Sequence, residues 1–282
     1  LGLPLASAFH TLARVKAEAA DDAHGLRARA EADVIGCSDA ILANSPDEAV
    51  QLERLYSAVP DRIEIVPPGV DHGLFFPGDR DAARVGLGLG DGPVLLFVGR
   101  IQPLKGADVA VRALVALTDF PTATLVLVGG ASGPDGPAEM TRLRTLVVGC
   151  GVADRVRFVP PQPHGGLADY YRAADVCLVP SRSESFGLVA LEAAACGTPV
   201  VAAAVGGLRT LVDPGHTGFL VEGRDPADYA AHAAQLLLHP QLAAGMGRQA
   251  AERSLRYTWS GAAARLRALC ADLTARTLVE CR

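Results

Sequence analysis

Short apolar runs, each followed by glycine, proline or a polar turn, dominate the chain from about residue 92 onward. The runs are Val94–Val98, Leu125–Val128, Val156–Val159, Val176–Val179 and Val200–Ala203. Short, two-sided apolar runs of this kind are typical of strands buried in a parallel sheet. The stretches between them are predicted helices, at 107–117, 140–149, 166–173 and 188–196. This alternation predicts a doubly wound α/β domain, in which ligands bind outside the carboxyl ends of the strands.

The composition narrows the class of protein. The 282 residues are half hydrophobic, which is enough to bury a sizeable core in one large domain or two smaller ones. The net charge of -5 argues against nucleic acid as a partner. No apolar run approaches the roughly 18–20 residues of a transmembrane helix, and no signal segment opens the chain.

The cysteines indicate a reducing compartment. They are scattered without a CxxC pair, at Cys37, Cys150, Cys177, Cys196, Cys270 and Cys281. Cys177 and Cys196 lie in apolar segments, which favours buried small side chains. We therefore expect reduced thiols and a cytoplasmic location.

The chain divides into four predicted parts. Residues 1–78 form a first unit, in which Ser45 and Pro46 mark a helix start after a short strand. Residues 79–92 are the predicted linker, 93–254 the α/β domain and 255–282 a helical segment. Because the chain begins at Leu1 within an apolar run, we expect a fragment whose start is missing.

A loop with two cations follows the first strand of the α/β domain. The strand ends at Gly99, and Arg100 and Lys105 follow at the edge where ligands bind. Together they could neutralise a diphosphate, the arginine through a forked contact and the lysine as a point charge. They could equally be surface cations flanking a turn.

The segment from Val179 to Glu192 ends a strand and opens a helix. The N–H groups of residues 186–188 would lie unpaired at the helix start, where the helix dipole favours an anion. Gly187 would let a phosphate approach the backbone closely. The segment therefore predicts a phosphate site.

Two carboxylates accompany this phosphate site, Glu184 on the loop and Glu192 on the helix. Carboxylates beside a phosphate are favourable when they accept hydrogen bonds from hydroxyl groups, which a nucleoside diphosphate sugar offers. Glu192 could instead be an exposed helix residue, but its helix neighbours are apolar, and this favours a buried carboxylate that needs partners.

Other features are weak by themselves. The glycine pairs Gly129-Gly130 and Gly206-Gly207 could approach a ligand or could be ordinary turns. His10 and Lys16 follow an apolar segment, and a lone histidine is more often structural than catalytic.

Together these motifs resemble the family 4 retaining glycosyltransferases of the GT-B fold. Residues 184–192 match the family's E-x7-E pattern, the segment 98–105 lies upstream as expected, and 196–201 and 206–208 are similar to the stretch that follows. The resemblance implies a Rossmann-like C-terminal donor domain and an incomplete N-terminal acceptor domain, with 255–282 packing back on the latter.

Segments 10–16, 97–105 and 179–184 are similar to the subgroup that glycosylates inositol phosphate in mycothiol biosynthesis. The resemblance implies transfer of N-acetylglucosamine from UDP-N-acetylglucosamine to a small phosphorylated polyol, with retention. No His/Asp cluster in the sequence suggests a metal, and we expect the chemistry to require no cofactor. Front-face attack is favoured, with the leaving phosphate taking the acceptor proton. The resemblance is also compatible with a homodimer.

The resemblance also implies roles for individual residues. The catalytic set is His10, Arg100, Lys105 and Glu184. The donor-binding set is Gly99, Gln162, Ser185, Phe186, Gly187, Leu188 and Glu192. The acceptor-binding set is Thr11, Lys16 and Arg27, although the surroundings of Arg27 depart from the subgroup's pattern.

Other readings stay open from the sequence. One is a related transferase with another acceptor, such as a sucrose-phosphate synthase-like or cell-wall enzyme. Another is a nucleotide-binding module without catalysis. A dinucleotide dehydrogenase is disfavoured because no G-x-G-x-x-G follows a predicted strand.

Overall fold

The first unit is a small parallel sheet with helices. The computed structural model describes residues 3–20, 25–133 and 135–275. Strands β1 (Ala6–Ala8), β2 (Ala40–Ala43) and β3 (Ile63–Ile65) pair in that order, and helices α1 (Ala13–Ala20), α2 (Gly25–Cys37) and α3 (Pro46–Tyr56) surround them. Helix α3 begins as predicted, because the Ser45 hydroxyl accepts a hydrogen bond from the Glu48 N–H at 3.2 Å.

The second unit is a six-stranded parallel sheet in the order β6-β5-β4-β7-β8-β9. Its strands are β4 (Val94–Val98), β5 (Thr124–Val128), β6 (Val156–Val159), β7 (Val176–Val179), β8 (Val200–Ala203) and β9 (Gly218–Val221). The five predicted strands are confirmed, and β9 was not predicted. The strand order reverses between β4 and β7, which is where ligands bind in open α/β sheets.

Helices cover both faces of this sheet. They are α4 (Arg80–Leu87), α5 (Ala107–Ala116), α6 (Gly136–Gly149), α7 (Leu167–Ala173), α8 (Leu188–Ala195), α9 (Leu208–Leu211), α10 (Pro226–Leu238) and α11 (Pro240–Ser254). Alternate strand residues point to opposite faces. Leu95 therefore packs in one hydrophobic cluster with α5 and α10, while Leu96 packs in another with α7 and α8. This two-sided burial explains why the strand sequences are almost uniformly apolar.

The stretch predicted as a linker contains helix α4. Asp79 caps it by accepting a hydrogen bond from the Ala82 N–H at 3.0 Å. Arg84 links the helix to the second unit through two hydrogen bonds. Its Nε donates to the Ala173 carbonyl at 2.9 Å and its Nη2 to Asp175 Oδ2 at 2.6 Å. Residues 80–87 therefore pack against helix α7 of the second unit and are not a free connection.

Of the cysteines in the described regions, four are free thiols: Cys150, Cys177, Cys196 and Cys270. Cys281 lies outside the described residues. Cys177 and Cys196 are buried, as predicted, and burial raises the pKa of both thiols. Cys37 is disulfide-bonded, which corrects the expectation that all six cysteines are reduced. Among the described residues, no helix is long and apolar enough to cross a membrane.

The last described helix, α12 (Trp259–Leu273), packs on the first unit. Leu269 and Leu273 form a buried cluster with Ala40 of β2. Arg265 Nη1 also donates to the Ile65 carbonyl at 3.1 Å. The helix thus returns to the first sheet after the chain has completed the second.

Leu269→Ala tests this docking. Because Leu269 is 5% exposed, we expect the variant to lower the free energy of unfolding by about 2–5 kcal/mol. The control is Leu266→Ala on the same helix, where the side chain is 40% exposed and the loss should be much smaller. Urea denaturation measures both, and equal losses would contradict the packing described here.

Candidate active site

The loops that follow β4 and β7 lie side by side at the point where the strand order reverses. Gly106 has φ +72°, and a Cβ there would lie 2.2 Å from the Pro180 carbonyl oxygen. The Arg182 N–H also donates to the Leu104 carbonyl at 2.8 Å. Glycine at position 106 therefore allows the two loops to touch, and their polar side chains come together.

An ion pair joins these loops. Lys105 Nζ lies 2.6 Å from Glu184 Oε2, and the Ser181 hydroxyl donates to the same oxygen at 3.3 Å. The sequence analysis did not predict this pairing of Lys105 with Glu184. Arg100 is exposed and makes no hydrogen bond or ion pair within the described part of the chain. It is therefore available to an incoming anion.

The start of α8 carries unpaired backbone donors, as predicted. Gly187 caps the helix with φ 103°, and the Leu191 N–H is the donor to its carbonyl, at 3.0 Å. Among the described residues, the N–H groups of Phe186, Gly187 and Leu188 have no hydrogen-bond acceptor. Such groups, together with the helix dipole, can bind an anion.

Gly206 and Gly207, which follow β8, contact the loop that follows β7. This loop carries Glu184 and is called the Glu184 loop below. The Gly207 N–H donates to the Glu184 carbonyl at 3.1 Å. A Cβ at Gly206 would lie 2.0 Å from the same carbonyl oxygen, and one at Gly207 would lie 2.4 Å from Phe186 Cα. This pair therefore supports the loop.

The glycine pair after β5 supports the loop of β4 in the same way. A Cβ at Gly129 would lie 1.9 Å from the Gly99 carbonyl oxygen, and one at Gly130 would lie 2.9 Å from Pro161 Cγ. Gly99 is thus held by backbone contact with the neighbouring loop.

Glu192 is 7% exposed, so the alternative of an exposed helix residue is wrong. The Tyr171 hydroxyl donates to its Oε2 at 2.7 Å, and His164 Nε2 lies 2.9 Å from its Oε1. Burial, and the nearby Glu192 carboxylate, raise the pKa of Tyr171. The buried carboxylate therefore has protein partners that sequence reasoning missed, because they come from elements 21 and 28 residues away.

Gln162 follows β6, two strands away from β4 in the sheet. Its side chain is half-buried and donates from Nε2 to the Pro160 carbonyl at 2.9 Å. It thus lies along the same carboxyl edge but apart from the ion pair.

The two units meet at Ser185. Its hydroxyl donates to the His10 carbonyl at 2.7 Å, and its own carbonyl accepts from the Ser45 hydroxyl at 3.1 Å. Nearby, Arg27 Nη2 donates to the Thr11 carbonyl at 2.6 Å and to the Thr11 hydroxyl at 3.1 Å. Arg27 Nε donates to Glu31 Oε1 at 2.7 Å. The structure therefore brings Thr11 and Arg27 together.

A cavity of about 110 Å³ lies between the units. Half of the predicted site residues line it: His10, Thr11, Lys16, Arg100, Lys105, Glu184 and Ser185. The remaining predicted residues are outside its lining: Gly99, Arg27, Gln162, Phe186, Gly187, Leu188 and Glu192. The lining also includes Glu48, Gln51 and Gln102, which were not predicted. The predicted helix start at Ser45-Pro46 puts Glu48 on a helix. Its position at the cavity depends on how the two units pack, which the sequence does not show.

Within residues 3–20, 25–133 and 135–275, no group of three or more His, Cys, Asp or Glu side chains could hold a metal ion. The cations that face the cavity are Lys16, Arg100 and Lys105. The site can thus offer positive side chains to an anion.

Comparisons with known proteins agree with this geometry. The family model for group 1 glycosyl transferases matches residues 79–253, and the model for glycosyltransferase family 4 matches residues 1–74. The D-inositol 3-phosphate glycosyltransferase of Acidothermus cellulolyticus is 52% identical over 268 residues, covering 92% of this chain. The chain spans 59% of that relative's length.

Solved structures share the architecture. A sucrose-phosphate synthase from Thermosynechococcus elongatus superposes with a TM-score of 0.89 at 36% identity, over 96% of this chain and 68% of its own. HepE of Anabaena in complex with UDP-glucose gives a TM-score of 0.86 at 24% identity, over 95% and 72% of the two chains. The fold is the predicted GT-B type, and the chain belongs to the glycosyl transferases of group 1.

Proposed function

We propose that this chain carries the donor site and part of the acceptor site of a retaining transferase, which moves N-acetylglucosamine from UDP-N-acetylglucosamine to an inositol phosphate. The observation that carries the proposal is the cavity between the units. On one side it is lined by Arg100, Lys105 and Glu184, and on the other by His10 and Thr11. Donor and acceptor can therefore meet there.

The donor diphosphate binds at Arg100, Lys105 and the start of α8. The free N–H groups of residues 186–188 and the exposed Arg100 supply donors to phosphate oxygens. Glu184 releases Lys105 toward the phosphate and accepts from a sugar hydroxyl instead. Each carboxylate oxygen has about two acceptor positions, so Glu192 retains capacity for the ribose hydroxyls beside Tyr171 and His164. Gln162 contacts the base through its backbone.

The acceptor phosphate binds beside Thr11, Arg27 and Lys16. The contact of Arg27 with the Thr11 hydroxyl presets two donors for a phosphate. The names of the relatives support inositol phosphate, since a protein 52% identical to this chain is a D-inositol 3-phosphate glycosyltransferase.

The charges at the cavity support a front-face mechanism. An acceptor hydroxyl attacks the sugar carbon from the face that the leaving group vacates. The bond between that carbon and the β-phosphate oxygen breaks, and the acceptor proton passes to the same phosphate. Arg100, Lys105 and the α8 amides stabilise the negative charge that develops on UDP. His10 lies beside the reacting sugar.

A second candidate is a transferase that acts on a sugar phosphate. It is favoured by the TM-score of 0.89 and 36% identity to a sucrose-phosphate synthase. Both candidates share the donor chemistry and differ in the acceptor ring.

The mass of the product tests the proposal. We expect the full gene product, mixed with UDP-N-acetylglucosamine and 1L-myo-inositol 1-phosphate (the same molecule as D-inositol 3-phosphate), to give a glycosylated inositol phosphate. The Acidothermus relative is the positive control, and UDP binding to this chain by calorimetry tests the donor half separately. UDP binding without this product would contradict the acceptor assignment, and absence of UDP binding would contradict the donor site.

A further inference from the structure

The cavity contains a carboxylate that the proposed mechanism does not use. Glu48 is the third residue of α3, is 3% exposed and lines the cavity beside His10, Thr11 and Lys105. A carboxylate that is almost fully buried needs hydrogen-bond donors for both of its oxygens. Glu48 has them for one oxygen.

Oε2 of Glu48 is fully engaged by the start of its own helix. It accepts from the Asn44 N–H at 2.6 Å and from Asn44 Nδ2 at 2.8 Å. In return, the Glu48 N–H is held by the Ser45 hydroxyl. This reciprocal arrangement resembles a capping box that reaches one residue further back. It fixes the orientation of the side chain.

Oε1 of Glu48 accepts no hydrogen bond within the described residues. The fully buried side-chain atoms that lack a partner there are His72 Nε2, Arg224 Nη1, Tyr229 Oη and Arg253 Nε. Oε1 is not one of them, so it keeps accessible surface, and the cavity is the open space that Glu48 lines. Burial raises the pKa of the Glu48 carboxyl, while the bonds from Asn44 oppose that shift. The oxygen is thus an acceptor without a donor, held rigidly at the cavity wall.

The charge of Glu48 indicates which ligand group can bind at Oε1. A phosphate at this oxygen would be repelled, and the cations that suit phosphate lie at Lys16, Arg100 and Lys105. A neutral hydroxyl supplies the missing donor without a charge conflict. We propose that Glu48 determines acceptor specificity by accepting, through Oε1, a hydrogen bond from a ring hydroxyl of the polyol phosphate. This inference rests on the proposed function.

Acceptors with one hydroxyl replaced by fluorine test the role. Fluorine cannot donate, so at one ring position the replacement should lower kcat/KM of the full gene product by about 10- to 100-fold, the range for a lost hydrogen bond to a charged group. In Glu48→Gln, the Asn44 donors keep the amide oxygen and turn the NH2 group to the cavity. The penalty at that one position should then shrink to the level of the other positions.

Two controls separate this role from helix capping. Asn44→Ala removes a bond to Oε2 but leaves Oε1 in place, so it should keep the wild-type ranking of the fluorinated acceptors. Calorimetric UDP affinity should be the same in all three proteins. Identical fluorine penalties in wild type and Glu48→Gln, with only a lower melting temperature, would overturn the role of Glu48. No transfer to inositol phosphate by the wild type would instead overturn the proposed function and the acceptor on which this inference rests.

Discussion

Replacing Lys105 with alanine is expected to lower kcat/KM for the UDP-sugar by about 10²- to 10³-fold, the usual loss when one preorganised contact to developing charge is removed. Lys105 lies at the cavity, on a loop fixed against the β7 loop by Gly106. Its ammonium group is therefore held beside the proposed diphosphate position and reaches the leaving group once Glu184 releases it. Steady-state kinetics of the full gene product measure the loss.

The ion pair with Glu184 complicates this variant, because Lys105→Ala also leaves that carboxylate without its cation. A double-mutant cycle with Glu184→Gln resolves the two effects. We expect the double variant to lose less than the sum of the single variants, since the neutral amide no longer repels the phosphate. Arg248→Ala is the matched control, because Arg248 is an exposed cation outside the cavity lining. An unchanged kcat/KM in Lys105→Ala would contradict the assignment.

The sequence predicted the central strands well because each is buried on both faces. Such strands are continuous apolar runs, and their bounds follow from the glycine or proline after them. Strand β9 was missed because Gly218–Val221 begins with glycine, which leaves a shorter apolar run than in the predicted strands of the same length. Strand order was not predicted beyond the doubly wound class, since pairing such as that of β4 with β7 depends on long-range packing.

The sequence predicted individual residues of the candidate site, but not the contacts that join them. Arg100, Glu184 and the α8 amides follow strands at one sheet edge, so topology alone brings them together. The pairing of Lys105 with Glu184 joins residues 79 positions apart, and the contact of Ser185 with His10 spans 175. Glu48 was visible only as part of a helix start. Local patterns do not reveal which face of α3 the second unit covers, and this decides its position at the cavity.

Replacing Gly206, which contacts the Glu184 loop, is the second variant for which we expect a large effect. Gly206→Ala should destabilise the protein by more than the ~1–2 kcal/mol that left-handed backbone costs a residue with a side chain. The residue has φ +45°, and a Cβ would lie 2.0 Å from the Glu184 carbonyl oxygen. The Glu184 loop must therefore move, which displaces the carboxylate from Lys105 and the amides of residues 186–188 from the phosphate. We also expect UDP binding to be lost.

Gly215→Ala is the matched control for this variant. Gly215 has φ +81°, but a Cβ there would meet nothing within 4 Å. It should show the backbone cost alone, and UDP affinity should stay at the wild-type value. Urea denaturation and calorimetry with UDP compare the two variants under the same conditions. Equal stability losses, with UDP binding retained in Gly206→Ala, would mean that the position of the Glu184 loop does not depend on a glycine at position 206. A larger loss in Gly206→Ala, together with lost binding, would show that the contact between the β7 and β8 loops sets the geometry of the donor site.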